Sequence, residues 1–164
     1  MSTQRQAHWQ GVYTSRSYTD VSWYQAEPAR SLEFIEASGV AKDRAIIDVG
    51  GGASTLVDHL MDRGYTRLTV LDIAADALRQ ARERLGERAH EADWHVADVL
   101  SFRSERRFAL WHDRAVLHFL VDADEREHYV DALRHALAPG GHAILAGFGP
   151  DGPQKCSGLP VRRY

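Results

Sequence analysis

Five short apolar runs divide the chain, and the stretches between them repeat their apolar residues every three to four positions. The runs are "RAIIDV" (44–49), "RLTVLD" (67–72), "WHVAD" (94–98), "FALWHD" (108–113) and "HAILAGF" (142–148). The first, fourth and fifth are nearly continuous in hydrophobics, the pattern of strands covered on both faces. After the first run, "ASTLVDHLMDRG" places Leu56, Val57, Leu60 and Met61 on one helical face, with Gly64 as a C-terminal cap. "AADALRQARERLG" repeats the pattern and ends at Gly86. "DADEREHYVDALRHALAPGG" is acidic at its start and is expected to stop at Pro139-Gly140-Gly141. Upstream, "EPARSLEFIEASG" predicts a further helix, with Pro28 in its first turn and Gly39 at its end. Strand–helix alternation of this kind predicts an α/β fold with a mostly parallel sheet and right-handed crossovers. Residues 1–27 precede this pattern, 28–149 carry it, and 150–164 follow it as a loop.

In an open parallel sheet, ligands bind beyond the carboxyl ends of the strands. That rule gathers Gly50, Gly51 and Gly52, Asp72, Asp98 and Asp113 on one rim, from four different strands. Three consecutive glycines cost chain entropy, so a bare turn is a poor reason for them. They let a ligand approach the backbone at the start of a helix. Asp72 closes the second run, 20 residues after Gly52, where a carboxylate accepts from both hydroxyls of a ribose. This much fits a dinucleotide or an adenosyl cofactor. A dinucleotide fingerprint wants a small residue three places after Gly52, where the chain has Thr55. Asp48, in an otherwise apolar strand end, needs a partner if buried; a cationic ligand, or amides and waters around one, would serve.

At 164 residues and 44% hydrophobic, the chain suits one globular domain. A net charge of −3 gives no electrostatic case for a nucleic-acid or membrane partner. The single cysteine, Cys156, excludes an internal disulfide and fits a reducing, cytoplasmic setting; in "KCSGLP" it reads as an unreactive loop thiol. His112, His118, His128, His135 and His142 show no i, i+4 pair, so they are expected as surface or capping histidines, and no metal site is predicted.

"IIDVGGGAS" resembles the first motif of class I S-adenosylmethionine-dependent methyltransferases. "LTVLDI" resembles their second motif, "HVADVL" their third, and "ALAPGGHAIL" their helix-to-strand turn; the four stand in the family's order over residues 45–148. "HWQGVYTSRSYTDVSWYQAEPARSL" and "GPQKCSGLPVRRY" resemble a small bacterial branch, and "LWHDRAVLHFL" the Trp-Asp-Arg stretch of thiopurine-methyltransferase-like enzymes, with His112 inserted. The resemblance implies S-adenosyl-L-methionine as cofactor and a Rossmann-like sheet. It implies that Asp48, Gly50, Gly51 and Gly52 hold the methionine end, Asp72 and Ile73 the ribose and one adenine face, and Asp98 and Val99 the adenine edge. Asp113 and Arg114 would line the transfer site as catalytic residues. Trp9, Tyr13, Trp23 and Tyr24 would fold across as a lid, an aromatic surface suited to a sulfonium cation. The function implied is methyl transfer to a small-molecule or protein acceptor. A nicotinamide-dependent oxidoreductase and a catalytically silent S-adenosyl-binding module are the alternatives.

The family generally ends its sheet with an antiparallel hairpin after the fifth strand. Here 16 residues follow "HAILAGF", among them Pro150, Pro153 and Pro160, too few and too proline-broken for it. The expectation is a truncated form or a missing last unit, with the fifth strand an edge. Self-association through residues 142–148 and a weakened acceptor wall would follow.

Overall fold

The computed structural model describes residues 2–164. Its elements are α1 (Ser2–Ser15), α2 (Ala29–Ala37), β1 (Ile46–Val49), α3 (Leu56–Asp62), β2 (Leu68–Asp72), α4 (Ala75–Leu85), β3 (Ala92–Val96), β4 (Phe108–Arg114), α5 (Ala123–Ala136) and β5 (Leu137–Ala146). A short antiparallel pair, β6 (Lys155–Cys156) and β7 (Leu159–Pro160), follows. The five main strands form one parallel sheet in the order β3-β2-β1-β4-β5. This is the expected Rossmann-like arrangement, with its switch point between β1 and β4.

Two apolar layers cover the sheet. Leu32, Ile35, Leu56, Leu60 and Leu78 pack with Ile46, Leu68 and Leu110 on one face. Ile47, Val49, Leu71, Phe108 and Trp111 pack with Phe102, Leu120 and Tyr129 on the other. All residues of β1 and β2 are buried, as a strand covered on both faces requires. Gly39, Gly64 and Gly86 end α2, α3 and α4 with positive φ, as expected of glycines at helix ends.

The structure departs from the sequence reading in the tail, expected as a loop but carrying the β6–β7 pair, and in three further places. The segment before Pro28 is not irregular at its start: residues 2–15 form α1. It carries no acidic residue in its first turn and no basic one in its last, and it is held by tertiary contacts. Tyr13 packs on Ala53, Ala74 and Ala77, and Gln80 of α4 donates to the Tyr13 and Arg16 carbonyls. Second, α5 ends at Ala136, three residues before Pro139, because a proline disfavours helical backbone at the residue before it. Pro139-Gly140-Gly141 lie inside β5, in an irregularity where Leu137 faces Phe108 and His142 faces Leu110. Third, β3 spans 92–96 rather than 94–98, which leaves Asp98 in the loop beyond the strand.

β5 is an edge of the main sheet, and β6 and β7 pair only with each other. Among the described residues no helix is long and apolar enough to cross a membrane.

Candidate functional site

The carboxyl ends of the strands open into one cavity of about 180 Å³. It is lined by residues that follow β1 (Gly50, Gly51), end or follow β2 (Asp72, Ile73), follow β3 (Asp98, Val99), end or follow β4 (Arg114, Val116, His118) and follow β5 (Phe148). Asp48 and His112 reach it from within β1 and β4, and Arg5, Trp9, Tyr13, Trp23 and Tyr24 cover it from the N-terminal segment.

The glycine loop is tight. Gly50 and Gly52 have positive φ, at 68° and 45°. A Cβ on Gly50 would lie 2.0 Å from Val116 Cγ2, one on Gly51 2.5 Å from Asp48 Oδ2, and one on Gly52 2.7 Å from Asp72 Oδ2. A side chain at any of the three would force Val116, Asp48 or Asp72 to shift, since real Cβ atoms do not approach that closely. The amides of Gly50 and Gly51 are turned to the Leu71 carbonyl at 2.7 and 3.3 Å. The loop therefore offers a close, side-chain-free approach at Gly50 and Gly51 rather than the free amides the sequence suggested. Gly52 packs against Asp72 and is absent from the lining. Arg84 fixes the far end of the loop by donating to the Ala53 and Ser54 carbonyls while pairing with Asp58.

Asp48 has a partner within the chain. His112 is its direct register neighbour on β4, and Nδ1 lies 2.7 Å from Asp48 Oδ1 while Nε2 lies 2.9 Å from Ser31 Oγ of α2. All three side chains are buried. His112 is thus no surface histidine, and neither is His118, which is 2% exposed. The signal for His112 was present in "LWHD": a polar residue inside a strand with apolar neighbours must meet a buried partner.

Asp72 accepts the Ala74 amide at 2.8 Å through Oδ1. Burial raises its carboxyl to about 7; the Ala74 amide opposes this and the Asp48 carboxylate adds to it. Asp98 accepts the Leu100 amide at 3.0 Å and has Arg5 Nη1 at 3.7 Å. Arg5 Nη2 also donates to both carboxylate oxygens of Glu125 in α5, at 2.7 and 2.8 Å, which pins α1 across the β3 side of the cavity. Trp9 meets Trp23 and Phe119 edge-on, and Trp23 Nε1 donates to the Tyr13 hydroxyl at 3.1 Å. Arg114 holds the same cover by donating to Gln25 Oε1 and the Trp23 carbonyl.

Asp113 stands apart, contrary to its expected place in the transfer site. It is fully buried and absent from the cavity lining. Its oxygens accept from the Val116 amide at 2.7 Å, the Leu117 amide at 3.0 Å and the Tyr129 hydroxyl at 2.5 Å. Burial raises its carboxyl to about 6, against the lowering effect of the Tyr129 hydrogen bond. Its bonds to the Val116 and Leu117 amides hold the turn after β4. That turn contains Ala115, a non-glycine residue at φ 86°, a strained backbone that the Asp113 bonds hold.

The β5 side is walled. The segment after β5 brings Phe148 and Cys156 to the lining, and the Arg162 and Tyr164 amides bind the His118 and Phe148 carbonyls at 2.7 and 2.9 Å.

Comparison with known proteins agrees with this geometry. A family model described as a methyltransferase domain matches residues 46–141, more than half of the chain. Nodulation protein S of Rhizobium tropici is 37% identical over 99 residues, covering 60% of this chain and 41% of that protein. EEF1A lysine methyltransferase 2 of Danio rerio is 26% identical over 153 residues, covering 84% of this chain and 66% of that one. The matched segment thus spans less than half of the nodulation protein. Among solved structures, the glycopeptide N-methyltransferase MtfA with S-adenosyl-L-homocysteine superposes with a TM-score of 0.67 at 20% identity, over 78% of this chain and 55% of that one. The DhpI–SAM–HEP complex does so at 0.70 and 19% identity, over 90% and 66%. With its sheet order, glycine loop and strand-end carboxylates in place, the chain belongs to the methyltransferase domain family, the class I S-adenosylmethionine-dependent kind.

Proposed function

We propose that the cavity takes S-adenosyl-L-methionine and that the chain transfers its methyl group to a small-molecule or protein acceptor by in-line displacement. The observation that carries this reading is the convergence of Asp48 in β1, Asp72 at the end of β2 and Asp98 in the loop after β3 around a loop where a Cβ would strike two of those carboxylates. When bound, the cofactor supplies an activated methyl group on a sulfonium, so the new bond to carbon forms as the carbon–sulfur bond breaks toward sulfur. The protein's part is orientation and exclusion of water. Asp72 would accept from the ribose hydroxyls, with Ile73 against one adenine face and Asp98 and Val99 at its edge. Gly50 and Gly51 let the methionine end lie on the backbone, Gly52 holds the loop against Asp72, and Asp48 faces the ligand's cationic part. Trp9 and Trp23 close over the sulfonium, and Arg114 borders the transfer site while tying down the cover. A chain with one cysteine and this activity fits the cytoplasm.

The test is calorimetric titration with S-adenosylmethionine, S-adenosylhomocysteine and NADH. Saturable binding of the first two, and none of NADH, is expected. NADH binding with no response to the adenosyl ligands would overturn the reading in favour of a reductase.

A further inference from the structure

The order of the strands arranges the cavity's chemistry along one line. Asp98 and Asp72 lie at the β3–β2 end, the glycine loop in the middle, and the turn after β4 with Phe148 at the β4–β5 end. That turn rests on the loop, because Val116 Cγ2 fills the space where a Gly50 side chain would be. His118 is two residues further on. It is 2% exposed, it lines the cavity, and neither ring nitrogen has a hydrogen-bond partner among the described residues. Its ring stacks on Phe148 at 4.9 Å and 20° and meets Phe119 at 4.2 Å. Buried polar groups are nearly always paired, so two orphaned ring nitrogens on a side chain that lines the cavity mark a place where a small shift of the ring would let something bind.

We propose that the β4–β5 end of the cavity seats the methyl acceptor and that His118 orients it, by a hydrogen bond with the N–H, O–H or S–H group of an uncharged acceptor that has an aromatic or apolar body. This rests on the cofactor assignment above. The walls choose the acceptor's class. At this end they are Phe119, Phe148, Leu120 and the Cys156 thiol, with no carboxylate among them. The cavity's charged groups are engaged elsewhere: Asp48 by His112, Asp72 by the Ala74 amide, Asp98 by the Leu100 amide, Arg5 by Glu125, and Arg114 by Gln25 and the Trp23 carbonyl. An ammonium here would be buried without a partner, which is strongly unfavourable. Burial also lowers His118 to about 4. The ring is therefore neutral at pH 7, with one donor and one acceptor nitrogen and no charge to repel a sulfonium. Stacking on Phe148 fixes the ring plane, so the acceptor's hydrogen-bonding group must approach in that plane.

The experiment titrates 4-methylphenol, 4-methylaniline, toluene and benzylammonium into the protein, with and without saturating S-adenosylhomocysteine. Calorimetry reads affinity, and nitrogen-15 signals of the His118 ring read contact. The phenol and aniline should bind and shift a His118 ring nitrogen; toluene should bind more weakly without shifting it, and benzylammonium weakest. His118→Leu should cut phenol and aniline affinity about tenfold, to the toluene level, with S-adenosylhomocysteine affinity unchanged. His118→Gln, which keeps a donor and an acceptor, should recover part of the loss. Unchanged fragment affinity in both variants, an unmoved His118 signal, or preference for benzylammonium would overturn the proposal. Failure of S-adenosylhomocysteine itself to bind would instead overturn the cofactor assignment, and the fragment titrations without it still report on His118.

Discussion

Asp48 shows what a single residue discloses in a sequence and what it withholds. A carboxylate in "AIIDVG" announces that something must pair with it. The partner, His112, is 64 residues away and becomes a neighbour only through the register of β1 on β4. Deleting the imidazole leaves Asp48 and Ser31 buried together without their bridge. His112→Leu should therefore lower unfolding free energy by roughly 1.5–3 kcal/mol, the worth of a hydrogen bond to a charged group. Urea denaturation checks this, and a stability equal to wild type would mean that water replaces the ring. Asp72 was legible as a ribose acceptor from spacing alone, but its environment was not. Burial and Asp48 hold its carboxyl near 7, so in the free protein at pH 7 it is partly protonated. Hydroxyl donors bind the ionised form better. S-adenosylhomocysteine affinity should therefore fall as pH drops below about 7 and level off above it, with a proton released on binding near neutrality. Calorimetry in buffers of different ionisation enthalpy measures that release. In Asp72→Ala the pH dependence should vanish and affinity fall at least about tenfold, the loss of one or more hydrogen bonds to a charged acceptor, with circular dichroism unchanged. Asp113 went the other way: its strand-end position suggested a ligand, yet both its oxygens are spent on Val116, Leu117 and Tyr129. Proximity to the rim is visible in a sequence, but the direction of a side chain at a strand end is not.

Among the elements, the five strands and four inner helices were readable because each buries an apolar face whose period betrays it. The nearly continuous runs of β1 and β4 belong to buried strands, whereas the similar run in β5 lies on an edge strand with no fully buried residue, against the expectation of cover on both faces; glycines marked the helix ends. α1 was unreadable for the same physical reason in reverse. Its sequence, "STQRQAHWQGVYTS", has few apolar residues and a glycine in its middle. Its stability comes from outside: Tyr13 against Ala53, Ala74 and Ala77, and Arg5 gripping Glu125. Such an element opens at low cost. The cavity it covers is about 180 Å³, smaller than the roughly 300–1,000 Å³ usual for ligand clefts. α1 and the 18–25 segment must therefore move to admit a cofactor and an acceptor together. Amides 8–24 should exchange quickly in the free protein and slowly with S-adenosylhomocysteine bound. Deleting residues 1–25 should weaken that binding while the sheet's amides stay protected. Equal exchange with and without ligand would mean these aromatics are packing only.

At the scale of the whole molecule, the open question is the outer side of β5. The sheet order leaves it without a neighbour among the described residues, and an unpaired strand edge is a template for another chain. Part of that edge is blunted: Pro139-Gly140-Gly141 break its regular pairing before His142, as edge irregularities commonly do. The tail does not cover the rest. Its amides at Arg162 and Tyr164 bond His118 and Phe148, beyond the strand's end. What stays open is the stretch 142–146, with Leu145 46% exposed. This chain should therefore associate with concentration through β5, two copies pairing edge to edge. Leu145→Lys should return it to a monomer without loss of stability, because the side chain is already half in water and a lysine on an edge opposes pairing. Sedimentation velocity across a hundredfold concentration range measures both. A wild-type protein that stays monomeric throughout, with slowly exchanging amides at 142–146, would show that the edge is protected by the chain itself and end the case for association there.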